Sequence, residues 1–174
     1  MSSIEQMYQQ VILDHAKTPH GRGLVDVPDG ASSGQSHQVN PTCGDEVTLR
    51  VELERAGEDG APVIGRVSWD GQGCSISQAS LSVLTDLVTG RPVPEAEHLG
   101  EVFRDLMGSR GSGLDETAED ELGDATAFTG VSRYPARIKC ALLGWAALRD
   151  SLVTSGALDH TTAARAATTT EENR

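Results

Sequence analysis

Apolar and polar positions along the chain divide it into alternating kinds of segment. Ile4, Met7, Tyr8, Val11 and Ile12 recur at helical spacing over residues 2–17, and Ser2 with Glu5 fits a capping box at the start. His15 lies on the same stripe and reads as a packed, hydrogen-bonded histidine rather than a ligand. Pro19 and Gly21 close this helix, and residues 20–42 read as an extended loop. Val47, Leu49, Val51 and Leu53 then alternate with polar residues over 46–54, the period of a half-buried strand. After a polar turn with Gly57 and Gly60, Val63, Val67 and Trp69 predict the returning strand of a hairpin.

Helical spacing resumes over about 76–89, with Ile76, Ala79, Val83, Leu84 and Leu87, and again over about 95–107, with Leu99, Val102, Phe103 and Leu106. Residues 108–124 differ: glycine and serine come first, then six acidic residues from Asp115 to Asp124. The plain reading is a solvated acidic loop, and the sharper one a docking surface for a basic partner. Pro135 opens a last helix to about Leu152, with Ile138, Ala141, Leu142, Trp145, Leu148 and Leu152 as its stripe. A helix, two or three strands and then helices predict an α+β fold, with helices packed on one face of a small antiparallel sheet. Residues 1–156 read as one domain and 157–174 as a disordered tail rich in Ala and Thr.

Composition narrows the function. A net charge of -12 argues against general binding to nucleic acid or an anionic membrane, since both need a basic surface. With no long apolar run and no basic, apolar leader at Met1-Ser-Ser-Ile-Glu5, a cytoplasmic protein is expected. Three widely spaced cysteines favour metal or thiol chemistry over a disulfide framework.

Those cysteines carry the candidate chemistry. Cys43 and Asp45 lie in Asn40-Pro-Thr-Cys-Gly-Asp45, Cys74 follows Gly71-Gln-Gly, and Cys140 follows Arg137-Ile-Lys. Three thiolates and one carboxylate make a four-ligand set suited to tetrahedral zinc. Gly44 lets Cys43 and Asp45 turn toward one ion, and a helix N-terminus at Cys74 favours its thiolate. On a helical wheel Cys140 lies roughly 160° from the centre of the apolar stripe and points off the core face. Asp45, a hard oxygen donor among soft sulfurs, suggests a site that exchanges a ligand. Spacings of 31 and 66 residues match no compact zinc pattern, and three unrelated cysteines acting as small apolar side chains are the competing reading.

Four motifs in order, Val11-Ile-Leu-Asp-His15, Asn40 to Asp45, Gly71-Gln-Gly-Cys-Ser-Ile-Ser-Gln-Ala79 and Tyr134 to Trp145, resemble the SufU branch of the NifU/IscU-like iron–sulfur assembly family. The resemblance covers about residues 4–152. Where IscU-like members carry a histidine before the third cysteine, this chain has Lys139, a poor ligand while protonated. An insertion between the second and third cysteines, also typical of SufU, corresponds to about 108–124. The resemblance implies an IscU-like α+β fold and zinc held by Cys43, Asp45, Cys74 and Cys140. It further implies partnership with the cysteine desulfurase SufS, Cys43 as sulfur acceptor, and delivery to the SUF scaffold complex. In the family mechanism a desulfurase histidine takes a zinc position and frees the first cysteine. Arg137 is a candidate to hold Asp45 or a cysteine sulfur by charge-assisted bonds. A scaffold on which an iron–sulfur cluster is built with the same cysteines, and a structural zinc module that only docks partners, are the rivals.

Overall fold

The computed structural model describes residues 2–56 and 60–158. Its elements are α1 (Ser3–Lys17), β1 (Ser32–Asn40), β2 (Asp45–Ala56), β3 (Ala61–Gln72), α2 (Ser75–Val88), α3 (Val93–Gly108), α4 (Glu116–Leu122), a 3-10 segment (Gly123–Arg133) and α5 (Pro135–Thr154). The three strands form one antiparallel sheet in the order β1-β2-β3. α5 packs along β1 and β2, and α2 packs on α5 and α1. The expected α+β class is therefore the observed one.

β2 follows the expected alternation, with Val47, Leu49 and Val51 fully buried. β3 departs from it. The pairing jumps from Glu52↔Arg66 to Leu53↔Ile64, so Gly65 is an extra residue that shifts the phase of the strand. Ile64 is thereby buried in place of the expected Val63. β1 corrects the reading of 20–42 as loop throughout. Its buried positions, Gly34, Ser36 and Asn40, are small or polar, while Val39 faces solvent. The strand alternates in size rather than hydrophobicity because α5 lies against it: a Cβ on Gly34 would fall on the Ser151 carbonyl.

α1 has the expected capping box, but only the later part of its stripe is covered. Ile12 and Ala16 touch the core, whereas Ile4 and Met7 stand exposed. The 108–124 segment is not the expected acidic loop. Asp115 caps α4 by accepting the Ala118 N–H at 2.9 Å, and Leu122 is fully buried. Ala125 and Phe128 continue that burial in the 3-10 segment. Phe103 sits between Phe128, edge-on at 5.7 Å, and Trp145, stacked at 5.1 Å. α5 is buried on more than one side, so Leu143 and Ala147 are inside while Ile138 and Leu142 are only part-buried. Ala157 and Leu158 bond back to the Leu152 carbonyl and touch the core. Residues 159–174 of the expected tail, and 57–59 of the expected turn, lie outside the described residues.

Candidate metal centre

A turn, a strand–helix junction and the start of a helix meet at one end of the sheet. The β1–β2 turn carries Cys43, and Asp45 opens β2 opposite Asn40. Asn40 shapes this turn, accepting the Gly44 N–H at its carbonyl and the Thr42 N–H at its side chain. Gly44 takes φ +75, a conformation that disfavours any residue with a Cβ. Cys74 is the N-cap of α2, two residues beyond the end of β3. Cys140 lies in the second turn of α5.

The four side chains converge. Cys43 Sγ and Cys140 Sγ are 3.6 Å apart, and the Cys74 thiol lies 3.7 Å from Asp45 Oδ2. The ligand atoms of Cys43, Asp45 and Cys140 all fall within 4.8 Å of one another. Zinc with about 2.3 Å bonds to sulfur and about 2.0–2.2 Å bonds to oxygen needs S···S near 3.8 Å and S···O near 3.6 Å at tetrahedral angles. The two measured separations match those values before any rearrangement. Cys74 stands outside the three-residue cluster and reaches it through Asp45.

Burial divides the set. Cys43 and Cys74 are exposed, while Cys140 and Asp45 are only 5% and 4% accessible. Asp45 accepts the Cys74 N–H at Oδ1, 3.2 Å away, and no ion pair among the described residues includes it. A buried carboxylate held by one backbone N–H and by thiols, with no basic side chain beside it, favours a cation there. Burial, reinforced by hydrogen bonds with Asp45, Cys43 and Cys74 and by the Cys74 charge, pushes the Cys140 thiol well above its ordinary range. Its thiol also lies 3.7 Å from the Ala136 carbonyl. Cys140 thus leaves the apolar stripe, as the helical wheel predicts, but turns into a covered pocket rather than into solvent.

The cavity tolerates little else. A Cβ on Gly73 would fall on Ser77 Oγ and stand 3.2 Å from the Asp45 carboxylate, and one on Gly71 would meet the Glu46 carbonyl. Arg137 and Lys139 are exposed. Among the described residues, no side-chain hydrogen bond or ion pair joins Arg137 to Asp45 or to a cysteine. Sequence reasoning missed Ser77, whose hydroxyl donates to the Cys74 carbonyl at 3.0 Å. Its position three residues after Cys74, in the first turn of a helix, was the available signal. Among the described residues, no helix is long and apolar enough to cross a membrane.

Comparisons with known proteins bear on the family and the fold. The model of the NifU-like N terminal domain matches residues 7–141. The iron–sulfur cluster assembly scaffold protein IscU of Streptococcus pyogenes serotype M1 is 36% identical over 162 residues, covering 93% of this chain and 92% of its own. The zinc-dependent sulfurtransferase SufU of Bacillus subtilis is 36% identical over 147 residues, covering 84% and 90%. A crystal structure from Fervidobacterium islandicum AW-1, described as a candidate assembly scaffold for the SUF system, superposes with TM-score 0.59 at 30% identity, covering 87% and 99%. The NifU-like N-terminal protein of Brucella abortus superposes with TM-score 0.65 at 24% identity, covering 89% and 98%, and speaks for the fold. The chain belongs to the NifU/IscU-like family of iron–sulfur cluster assembly proteins.

Proposed function

We propose that this chain is a zinc-dependent sulfur-transfer protein of iron–sulfur cluster assembly, accepting persulfide sulfur from the cysteine desulfurase SufS and passing it to the SUF scaffold. Cys43, Asp45, Cys74 and Cys140 are the zinc ligands in this reading. The observation that carries it is the gathering of Cys43, Asp45 and Cys140 within 4.8 Å of one another, with the Cys74 thiol 3.7 Å from the Asp45 carboxylate. Lys139, exposed in the position before Cys140, adds no imidazole to them. The relative named a zinc-dependent sulfurtransferase supports the choice.

Bound zinc would hold the thiols as thiolates and protect them from oxidation, without itself changing oxidation state. Cys43 is the acceptor in this reading. It is exposed, and it sits in a four-residue turn that can shift without breaking a strand or helix. Its thiolate attacks the terminal sulfur of the desulfurase persulfide. The S–S bond of the donor breaks, the donor cysteine leaves as a thiolate, and Cys43 gains the sulfane sulfur with no net oxidation. Asp45 and Cys140, fixed by burial, keep the pocket in shape while Cys43 moves. Cys74 stays anchored at the cap of α2, where the helix dipole favours its thiolate. Arg137, one turn before Cys140, is solvent-exposed and is given no part in this reading.

Intact-mass analysis of the zinc-loaded protein, mixed with desulfurase and cysteine without iron, tests this. A persulfide mapped to Cys43, with zinc retained, is the expected result. No added sulfur on any cysteine, beside an active desulfurase, would sink the transfer reading. The scaffold names of other relatives favour a second reading, an iron–sulfur cluster on the same ligands. Cluster absorbance after anaerobic reconstitution, with no persulfide formed on Cys43, would select it.

A further inference from the structure

A second group of metal-ligating side chains meets away from the thiol pocket. His15 lies in the last turn of α1, His20 in the segment after it, and Asp86 near the end of α2. One ligand atom from each lies within 4.8 Å of the other two. His20 Nδ1 and Asp86 Oδ2 share a hydrogen bond at 2.7 Å, which an ion would replace by drawing the two atoms apart to about 3.3 Å. Asp86 follows Cys74 by twelve residues on the same helix, which separates the two groups by about 18 Å along the axis. We propose that His15, His20 and Asp86 form a second site, for a divalent first-row transition-metal ion such as zinc.

The ring geometry fits that class of ligand. Two imidazoles bound to one tetrahedral ion at about 2.0–2.1 Å have ring centroids about 5.2 Å apart. The His15 and His20 centroids are 5.1 Å apart, with their planes at 63°. Two imidazole nitrogens and one carboxylate suit zinc, nickel, copper or iron, whereas magnesium and calcium select all-oxygen sets. Asp124 Oδ2, 3.7 Å from His15 Nε2, adds a second carboxylate at the edge of the group.

The site is braced from beneath. Ser82 Oγ, fully buried, is 2.7 Å from His15 Nδ1 and accepts the His20 N–H at 2.8 Å. A hydrogen bond of this kind on one ring nitrogen orients a ligating histidine through the other. The His20 carbonyl accepts the Trp69 indole N–H at 2.9 Å, and the Gly21 carbonyl accepts the Trp69 backbone N–H at 2.9 Å. Gly23 donates to the Trp69 carbonyl at 2.7 Å. The segment carrying His20 is therefore pinned to β3 while Asp86 is fixed by α2, so an ion meets ligands that are already ordered. His20 and Asp86 each remain half-exposed, which leaves a route for the ion and an open side for water or an incoming ligand. Bound there, the ion ties α1 and its following segment to α2.

The test is equilibrium dialysis of the full-length protein against micromolar free zinc, with metal per chain read by mass spectrometry. His20→Ala and Asp86→Asn are the variants, since both residues are exposed, and circular dichroism verifies their fold. The wild type should carry roughly one ion more than either variant, and each change should weaken that ion's binding by about tenfold or more. Repeating the comparison with Cys43→Ser and Cys74→Ser together in every protein, both thiols being exposed, strips the thiol site of two ligands and makes the difference independent of it and of the transfer reading. His20 ring signals in NMR should shift with the second equivalent of zinc. Equal metal content in wild type and both folded variants would overturn the site, as would a second ion that leaves the His20 signals unmoved.

Discussion

Replacing Gly73 by alanine tests whether the thiol pocket is as tightly built as its distances imply. Gly73 does not have positive φ, so the substitution adds crowding without backbone strain. The new methyl would fall on Ser77 Oγ and stand 3.2 Å from Asp45 Cγ and Oδ1. Ser77 is buried, and its hydroxyl must leave the Cys74 carbonyl to make room, which costs about 0.5–1.5 kcal/mol. Residual overpacking adds about 1–3 kcal/mol. For a domain of this size the total corresponds to a fall in Tm of roughly 5–15 °C. Asp45 is displaced at the same time from the Cys74 N–H, and zinc affinity should drop by about 10–100-fold. Calorimetry of the metal-free protein and competition with a chromophoric chelator read the two effects separately. Two controls separate the causes. Gly44→Ala meets no atom within 4 Å but must hold φ +75, a strain of about 1–2 kcal/mol. Gly108→Ala, exposed at the end of α3 with open space around it, should stay within about 0.5 kcal/mol of wild type. A Gly73→Ala protein with wild-type Tm and wild-type zinc affinity would refute the geometry on which the site is argued.

Four further outcomes are expected. Cys140 holds its proton more tightly in the metal-free fold than in the unfolded chain. Its contribution is therefore complete below about pH 8.5 and is lost as pH rises through the folded value. The Tm of metal-free protein should fall from pH 8 to 10, and Cys140→Ala should flatten that slope. In zinc-loaded protein the sign reverses: the folded state binds fewer protons, so stability should rise from pH 6 to 8.5, and zinc uptake should release protons measurable in two buffers of different ionisation heat. Gly34→Ala puts a methyl on the Ser151 carbonyl and against Ser155, so α5 must lift off β1. A loss of about 1–3 kcal/mol or more in urea titration is expected. Trp69→Phe removes the donor to the His20 carbonyl and leaves a small void beside a fully buried ring, for a loss of about 2–4 kcal/mol by the same titration.

The parts of this fold that were legible in the sequence are those in which one periodic face meets one partner. β2 is the plain case: its apolar residues alternate strictly, and the buried ones are those the period selects. β1 was illegible because its inward positions are Gly34, Ser36 and Asn40, selected for the close approach of α5 and not for hydrophobicity. The phase of β3 was illegible for another reason. A bulge at Gly65 resets which residues face inward, and a bulge leaves no mark on an apolar count. In 108–124 the acidic residues obscured Leu114, Ala118 and Leu122, three positions at helical spacing that pack on or within the core. There the charge was informative about the outer face alone.

The sequence offered the thiol pocket as candidate residues, of which Cys43, Asp45 and Cys140 come together within 4.8 Å, but its shape was illegible. Chain separations of 31 and 66 residues carry no geometry, because a turn, a strand–helix junction and a helix supply the cysteines and only the packed sheet brings them together. That origin also accounts for the unequal burial of the four groups. Asp45 and Cys140 stand on a strand and a helix that pack into the core, so displacing either disturbs the fold. Cys43 stands in a turn whose glycine already supplies the left-handed residue, with nothing within 4 Å of where a Cβ would be. Movement of Cys43 therefore costs local turn contacts, whereas movement of Cys140 costs core packing. Within the proposed transfer reading, this difference favours Cys43 over Cys140 as the thiolate that leaves the metal for a partner's sulfur.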